Sequence, residues 1–356
     1  MILLSITINL SRIFLFPFHI ITMQYKLRFI SSQYFFSTLL LFVAISSSHA
    51  QTPVVDDGGY RGGSIKGITK WDKALHFLVM GDWGRNGENY QREVAAGMGK
   101  AAHDLDADFV IATGDNFYPY GVASTQDYHW ISSFESIYRA QSLHVRWYPV
   151  LGNHDYASNP DAQVAYSKIS SRWTMPSRYY SKKFFINGDT SRSVLIAFID
   201  TDPLEKKMRG VAPDSIKYPA GNTEAQLAWL EKTLGEKANW KIVVGHHPLY
   251  TGGWRKNSSD TKNMKELLEP IFKKYGVNVY IAGHEHHLEY TKPEGKTHYI
   301  ISGAASEARP VAMNPNGGRF AAAEQGFAAF SVTGDKILVQ FINYKDQIIN
   351  TSILEK

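Results

Sequence analysis

The sequence predicts an α/β protein, and three patterns along its 356 residues support this. Short apolar runs alternate with longer segments of helical periodicity in the first two thirds of the chain. Glycine-led polar clusters follow directly on five of these runs. The last part, 297–354, has strand and turn patterns but little helix. Strands that alternate with helices are typical of a sheet with parallel strands.

The individual elements follow in order. Six apolar runs predict buried strands, at 75–80, 109–113, 147–151, 194–199, 242–245 and 277–282. Four segments between them predict helices, at 90–104, 128–138, 223–234 and 263–275. The C-terminal part predicts strands at 299–302, 327–332, 337–342 and 348–353. The sequence Thr-Gly-Asp-Lys at 333–336 suits a hairpin turn between two of them.

The N-terminal region has the pattern of a secretory leader. From Met23 it carries Lys26 and Arg28, then an apolar run over 34–45, then small residues up to Ala50. We expect cleavage after Ala50, with 1–22 as an upstream extension or part of a long leader. An uncleaved membrane anchor is the alternative, although the apolar run is short for a bilayer span. We therefore predict a signal peptide at 1–50, a linker at 51–73, one folded domain at 74–356, and a secreted or periplasmic location.

Composition excludes several classes of site. The chain has no cysteine, which rules out disulfides, thiolate metal sites and cysteine nucleophiles. The net charge is +5, but residues 1–50 contribute three of these charges, so the rest carries +2. So small an excess gives no support for a nucleic-acid partner.

Five polar clusters stand where predicted strands end. They are Gly-Asp-Trp-Gly at 81–84, Gly-Asp-Asn-Phe-Tyr at 114–118, Gly-Asn-His-Asp at 152–155, Gly-His-His-Pro at 245–248 and Gly-His-Glu-His at 283–286. Loops at the carboxyl ends of strands converge on one crevice in α/β sheets. Each cluster alone is an ordinary turn pattern, but five in succession predict a shared site.

The donors that these clusters offer are typical of a metal centre. They supply two carboxylates, a phenol, a carboxamide and several imidazoles, and no sulfur. Such a set suits iron, manganese or zinc. A carboxylate can bridge two metals, and a pair roughly 3.5–4 Å apart can hold the attacking and leaving oxygens of a displacement at phosphorus.

In this order the motifs resemble those of purple acid phosphatases, within the calcineurin-like metallophosphoesterases. The stretches at 79–84, 114–118 and 165–173 are similar to the small, tartrate-resistant branch. The resemblance extends from about residue 74 to the C-terminus and lacks the extra N-terminal β domain of large plant forms. It implies two mixed β-sheets packed as a sandwich flanked by helices.

The resemblance also implies roles for single residues. Asp82, Tyr118 and His286 would bind Fe³⁺, and Asp115 would bridge to a second, divalent ion of iron, zinc or manganese. The ligands of that second ion would be Asn153, His246 and His284. Substrate would contact Asn153 and His154, and His154 would stabilise the transition state and protonate the leaving group. The phenol of Tyr118 fits a ferric site, because its ordinary pKa near 10 requires a strong Lewis acid to hold it as phenolate in acid.

Several residues keep alternative roles. His247 either binds substrate, supports the ligands or faces solvent. The loop 251–257 lacks the histidine of the animal branch, so the leaving-group acid stays open; Trp254 and Arg255 either line the substrate entrance or form an exposed loop. Asp155 would orient His154 or its own loop. His287 and Glu289 would be supporting or surface groups.

The expected function is that of a secreted binuclear-metal acid phosphatase, hydrolysing phosphomonoesters through a metal-bound hydroxide. Its partner would be a small phosphomonoester or a phosphoprotein, with no nucleic acid, no stable membrane association after leader removal and a monomeric state. A phosphodiesterase or pyrophosphatase on the same fold is the first alternative. A non-hydrolytic metal- or phosphate-binding protein, or a redox iron protein, is the alternative from another class.

Overall fold

The computed structural model describes residues 62–210 and 222–356. The predicted leader and residues 51–61 of the predicted linker lie outside the described residues. The described helices are α1 Gln91–Leu105, α2 Pro160–Tyr166, α3 Thr201–Met208, α4 Thr223–Leu234 and α5 Ser259–Tyr275. The described strands are β1 Leu75–Met80, β2 Phe109–Ala112, β3 Arg146–Pro149, β4 Tyr180–Ile186, β5 Asp189–Phe198, β6 Trp240–Val244, β7 Val279–Ala282, β8 Leu288–Thr291, β9 His298–Ser302, β10 Gly318–Ala322, β11 Gly326–Val332, β12 Lys336–Asn343 and β13 Ile348–Glu355.

These strands form two mixed sheets. The first has the order β13-β12-β11-β1-β2-β3, and the second has the order β10-β8-β9-β7-β6-β5-β4. In the first sheet β1, β2 and β3 are parallel neighbours. In the second, β5, β6, β7 and β9 are parallel neighbours. Each sheet therefore contains a parallel block whose strands all end at one edge.

The two sheets pack face to face around the larger core. Apolar side chains of both sheets belong to one buried cluster, and the rings of Phe109 on β2 and Phe184 on β4 stack with centroids 4.2 Å apart. A second buried cluster covers the other face of the second sheet, where Val243 and Tyr280 meet Leu230 of α4 and Leu268 of α5. The predicted sandwich flanked by helices is thus confirmed.

The structure differs from the sequence prediction in a few elements. The strands β4, β8 and β10 and the helices α2 and α3 were not predicted. The segment 128–138, predicted as an α-helix, contains instead a six-residue π-helix, Trp130–Glu135. Its apolar side chains recur every four residues, at Trp130, Phe134 and Tyr138, and all three are buried. Their spacing is helical, and their rings pack against Trp83 and Trp173 in one aromatic cluster.

The described part of the predicted linker, 62–73, has no helix or strand but is attached to the domain. Ile65 is buried in the larger core. Its backbone N–H donates to Asp104 of α1 at 2.7 Å. In the two described segments, none of the helices combines the length and apolar character required to cross a bilayer.

Candidate metal centre

The five polar clusters meet at the edge where both parallel blocks end. Asp82 follows β1, Asp115 follows β2 and Asn153 follows β3. His246 and His284 follow β6 and β7 of the other sheet. Because the strands of each block point the same way, their following loops converge, as predicted.

Three of these residues have a left-handed backbone conformation. Asp82, Asp115 and His284 have φ of 58°, 46° and 69°. For residues other than glycine this costs roughly 1–2 kcal/mol each. Hydrogen bonds hold the conformation: the N–H of Asp82 donates to Gly114 O at 3.0 Å, and the N–H of His284 donates to Asp82 Oδ2 at 2.9 Å. Strained backbone of this kind is concentrated at functional sites.

Two glycines allow the loops to approach one another. A Cβ on Gly152 would lie 2.2 Å from Asp115 Oδ1. Gly114 has φ of 93°, and a Cβ there would lie 2.6 Å from His246 Nδ1. Any side chain at either position would displace a predicted ligand.

The first set of donors, which we call the tyrosine group, consists of Asp82, Tyr118 and His286. The Tyr118 hydroxyl lies 3.2 Å from Asp82 Oδ1 and 3.1 Å from His286 Nε2. It also donates to Asp115 Oδ2 at 3.0 Å. All of these side chains are buried. Four donors thus converge on one small volume.

The second set, which we call the histidine group, consists of Asn153, His246 and His284. His246 Nε2 lies 3.4 Å from Asp115 Oδ1, 3.3 Å from Asn153 Oδ1 and 3.1 Å from His284 Nδ1. Ligand atoms of Asp115, His246 and His284 all lie within 4.8 Å of one another, close enough to hold one metal ion.

The orientation of the two imidazoles tests whether a cation fits there. His246 Nδ1 lies 2.8 Å from the carbonyl oxygen of Thr113, which only accepts, so Nδ1 carries the proton. His284 Nε2 lies 3.0 Å from a carboxylate oxygen of Asp260 and carries the proton of that ring. In the neutral rings the lone pairs of His246 Nε2 and His284 Nδ1 therefore face each other beside the Asp115 carboxylate. Such an arrangement of electron pairs fits a metal cation.

Burial keeps the imidazoles in the form that binds metal. Desolvation lowers the pKa of His284 to about 4 and that of His286 to about 3. Both rings are thus neutral, with free lone pairs, at any pH above these values. Burial also raises the pKa of the Tyr118 phenol, and the neighbouring Asp115 and Asp82 raise it further.

The carboxyl groups of Asp82 and Asp115 lie in the same site, but their pKa values are shifted in opposite directions. Burial raises the pKa of Asp82 to about 7, with Asp115 adding to the effect. Burial alone would also raise the pKa of Asp115, but the imidazoles of His246, His154 and His284 outweigh it and lower the pKa. Asp115 is therefore the carboxylate that is ionised first, which suits the residue lying between the two groups.

His154 stands at the open side of the centre. Its Nδ1 lies 2.7 Å from the carbonyl oxygen of Pro119 and therefore carries a proton. Its Nε2 lies 4.0 Å from Asp115 Oδ2, and 39% of its side chain is exposed. Nε2 thus faces the space in which a substrate would approach Asp115.

His247 and Asp155 lie behind the donors. His247 is buried, its Nδ1 lies 2.8 Å from the Thr201 hydroxyl, and its ring contacts that of His284. His247 therefore does not face solvent, and that alternative is wrong. Contact of His247 with substrate stays a prediction, which the burial of its ring does not favour. Asp155 accepts the N–H groups of Gly152 at 2.8 Å and Asn116 at 3.1 Å. It orients the loops, one of its two predicted roles.

His287 and Glu289 are supporting groups and not surface groups. Both are fully buried, and His287 Nε2 lies 2.8 Å from Glu289 Oε2. Glu289 also accepts the N–H of Gly252 at 2.9 Å. The pair therefore anchors the loop 251–258, which we call the entrance loop.

The entrance loop brings Arg255 to the centre and carries Trp254 next to it in the chain. Trp254 is 69% exposed, and the guanidinium carbon of Arg255 lies 4.9 Å from its ring centroid. Arg255 Nη1 donates to the carbonyl oxygen of His284 at 3.4 Å. Arg255 thus contacts a predicted ligand, while the exposed Trp254 fits both alternatives, and contact of either residue with substrate stays a prediction.

Three charged residues at the site were missed from the sequence. The guanidinium of Arg85 lies 3.7 Å from the ring centroid of Tyr118 and forms an ion pair with Glu307 at 3.0 Å. Glu307 in turn lies 3.7 Å from His286 Nδ1. The third residue is Asp260, beside His284. Arg85 directly follows the first motif, which was the available signal for it; Glu307 and Asp260 stand outside every motif.

Comparison with known proteins agrees with this site. Residues 75–288 match the family model described as calcineurin-like phosphoesterase. The chain is 37% identical over 302 residues to purple acid phosphatase 17 of Arabidopsis thaliana, covering 81% of this chain and 86% of the relative. It is 34% identical over 286 residues to tartrate-resistant acid phosphatase type 5 of Oryctolagus cuniculus, covering 75% of this chain and 87% of the relative.

Solved structures share the fold. GAP50, described as the anchor in the inner membrane complex of Plasmodium, superposes with a TM-score of 0.69 at 24% identity, covering 79% of this chain and 89% of its own. A purple acid phosphatase from yellow lupin seeds superposes with a TM-score of 0.57 at 16% identity, covering 81% of this chain and 54% of its own. The sequence relatives imply a dinuclear metal centre, and the two donor groups fit one. The chain therefore belongs to the calcineurin-like phosphoesterases, in the purple acid phosphatase family of hydrolases.

Proposed function

We propose that this protein is a secreted acid phosphatase that hydrolyses phosphomonoesters at a centre of one ferric and one divalent ion. The observation that carries the proposal is the position of Asp115. Its Oδ2 accepts from Tyr118 of the tyrosine group, and its Oδ1 lies 3.4 Å from His246 of the histidine group. One carboxylate thus serves both donor groups, as a bridging ligand must.

The charges of the two groups favour different ions. The tyrosine group offers Asp82, the Tyr118 phenol and a share of Asp115, which suits a trivalent ion. The histidine group offers only neutral side chains besides Asp115, which suits divalent iron, zinc or manganese. When bound, such metals supply Lewis acidity that activates water and neutralises charge on the phosphoryl group.

The protein residues at the open side provide binding and proton transfer. The Nδ1–H of His154 donates to Pro119 O, so a proton carried on Nε2 is free to face substrate. This proton can be donated to a phosphoryl oxygen or to the departing alkoxide. The Asn153 side chain, beside His246, can donate to a phosphoryl oxygen. The guanidinium groups of Arg85 and Arg255 add positive potential that attracts a phosphate dianion.

We further propose the surroundings in which this activity takes place. The leader pattern supports export to a secreted or periplasmic location. The expected partner is a small phosphomonoester or a phosphoprotein, without nucleic acid and without stable membrane association after leader removal. The expected state is a monomer.

Comparing substrates on one metal-loaded preparation tests the reaction. A phosphomonoester should be hydrolysed in weak acid with a higher kcat/KM than a phosphodiester or pyrophosphate. A preference for the diester or pyrophosphate would favour the first alternative function. The replacement Asp115→Asn should abolish turnover of all three, whereas Asp161→Asn, an exposed aspartate of α2, should not. A folded, metal-loaded protein without turnover of any ester would contradict the proposal and favour a non-hydrolytic role.

A further inference from the structure

Asp260 lies in the first turn of α5 and contacts the predicted ligand His284 from the side away from the centre. Its Oδ2 lies 3.0 Å from His284 Nε2. The side chain of His284 is 7% exposed and that of Asp260 is 20% exposed, so water competes little for this contact. The ring of His284 is thus fixed between a carboxylate on one side and the Asp115–His246 pair on the other.

The contact decides which nitrogen of His284 faces the metal. His246 presents Nε2 to the centre, because its Nδ1 donates to a backbone carbonyl. His284 presents Nδ1 instead, 3.1 Å from His246 Nε2. Within the described residues, the proton on its Nε2 has one hydrogen-bond acceptor, the side chain of Asp260. The orientation of one ligand is therefore open to test by substitution.

Asp260 is itself held in place from several directions. The hydroxyl of Ser258 and the N–H of Thr261, at 2.8 Å, both donate to its Oδ1. Its Oδ2 also lies 3.6 Å from Nε of Arg255 in the entrance loop. Thr261, Met264, Leu268 and Phe272 bury one side of α5 and fix its position. A rigid carboxylate thus joins a ligand to the loop that carries Trp254 and Arg255.

We propose that Asp260 is a positioning residue that holds His284 with Nδ1 toward the divalent metal and ties the entrance loop to that ligand. The proposal rests on the two-metal function inferred above. Partners of metal-binding histidines fix the ring and raise the basicity of its ligand atom, and their loss lowers metal affinity roughly 10–100-fold. Asp260 contacts no member of the tyrosine group in the described residues, so the effect should be confined to one of the two metals.

The test uses the full-length mature protein loaded with Fe³⁺ and Zn²⁺. Zinc affinity is measured by competition with a chelator, and the iron site is monitored by its visible absorption. Asp260→Asn removes the charge but keeps the shape, and it should weaken zinc binding roughly 10–100-fold while iron content and absorption stay unchanged. Asp260→Glu, which keeps the carboxylate, should recover part of the zinc affinity.

Asp161→Asn is the matched control, because Asp161 also lies in the first turn of a helix, α2, and pairs there with Arg178 at 2.7 Å. Its zinc affinity should equal that of the unmodified protein. Unchanged zinc affinity in Asp260→Asn, or equal loss of zinc and iron, would overturn the positioning role alone. An unmodified protein that binds no second metal would overturn the two-metal function together with it.

Discussion

The hydroxyl of Tyr118 donates to Oδ2 of Asp115 across 3.0 Å, although the two residues lie only three positions apart in one loop. The same hydroxyl is within 3.2 Å of Asp82 and His286, which come from loops of different sheets. Burial and the two carboxylates raise the pKa of this phenol, so without a metal it keeps its proton. A trivalent cation among these oxygens would reverse that balance.

We therefore predict that the oxidised, iron-loaded protein is pink to purple. A ferric phenolate absorbs visible light by charge transfer from ligand to metal, and Tyr118→Phe should abolish the band. The ring still packs against His154 and Arg85, so the fold should be kept. A visible spectrum on protein of verified iron content is the measurement.

Tyr156→Phe is the control for that spectrum, because Tyr156 is a buried tyrosine that donates to Asp200 instead. It should keep the colour. A colourless oxidised sample of the unmodified protein with full iron content would make Tyr118 an ordinary packed aromatic residue.

For His154, we predict that replacement by alanine lowers kcat roughly 10²–10⁴-fold, the range of general acid–base catalysis. The side chain is 39% exposed, so its loss should leave stability nearly unchanged. The loss of rate should shrink for esters with acidic leaving groups if proton donation dominates. Equal losses across leaving groups would indicate electrostatic stabilisation alone, and an unchanged kcat would remove His154 from the mechanism.

A third prediction concerns stability and pH. Burial raises the pKa of Asp200 from 3.8 to about 8. Between these values the folded protein binds a proton that the unfolded chain has released, so the free energy of unfolding should fall as pH rises from about 4 to about 8. The slope from one such group is at most ~1.4 kcal/mol per pH unit.

Denaturant unfolding at several pH values measures this dependence. Burial also raises the pKa of Asp155 to about 7, which makes stability fall with rising pH in the same way. The unmodified protein is therefore compared with the variant Asp200→Asn. Asp200→Asn removes the titrating group but can still accept the Tyr156 hydroxyl, and its stability should depend less on pH. An identical slope in both proteins would show that Asp200 is ionised in the folded state.

The leader pattern gives a fourth prediction. We expect the mature protein to begin near Gln51, because small residues precede this position and the basic and apolar regions come before them. Mass spectrometry of the exported protein should find none of the segment 23–50. Exported material that retains this segment would contradict cleavage after Ala50.

The sequence predicted the position of the site well because polar residues follow strands. Asp82, Asp115, Asn153, His246 and His284 each come two to four residues after the end of a buried strand, and parallel strands place such residues at one edge. The large β-rich core was predictable for the same reason. Both inferences use patterns of apolar and polar residues that lie within one short segment of the chain.

Features that depend on contacts between distant segments were not predictable. Asp260 follows two serines at the start of a helix, where an acidic residue is usually explained by favourable helix capping and dipole interactions. Only the fold brings it to His284, 24 residues away. Glu289 lies on the short strand β8, and its charge predicts an exposed side chain. It is buried instead, because the His287 ring and the N–H of Gly252 form hydrogen bonds with its carboxylate. The sequence also could not predict which ring nitrogen of His284 faces the metal centre.

Metal content measured together with turnover tests the central claim most directly. Metal-free protein should be given one equivalent of iron and then increasing amounts of zinc, with hydrolysis of a phosphomonoester followed in weak acid. We predict that activity rises with zinc until each chain holds two metal ions, and that Asp115→Asn never reaches this activity. Full activity with a single metal per chain, or with none, would contradict a centre shared through Asp115.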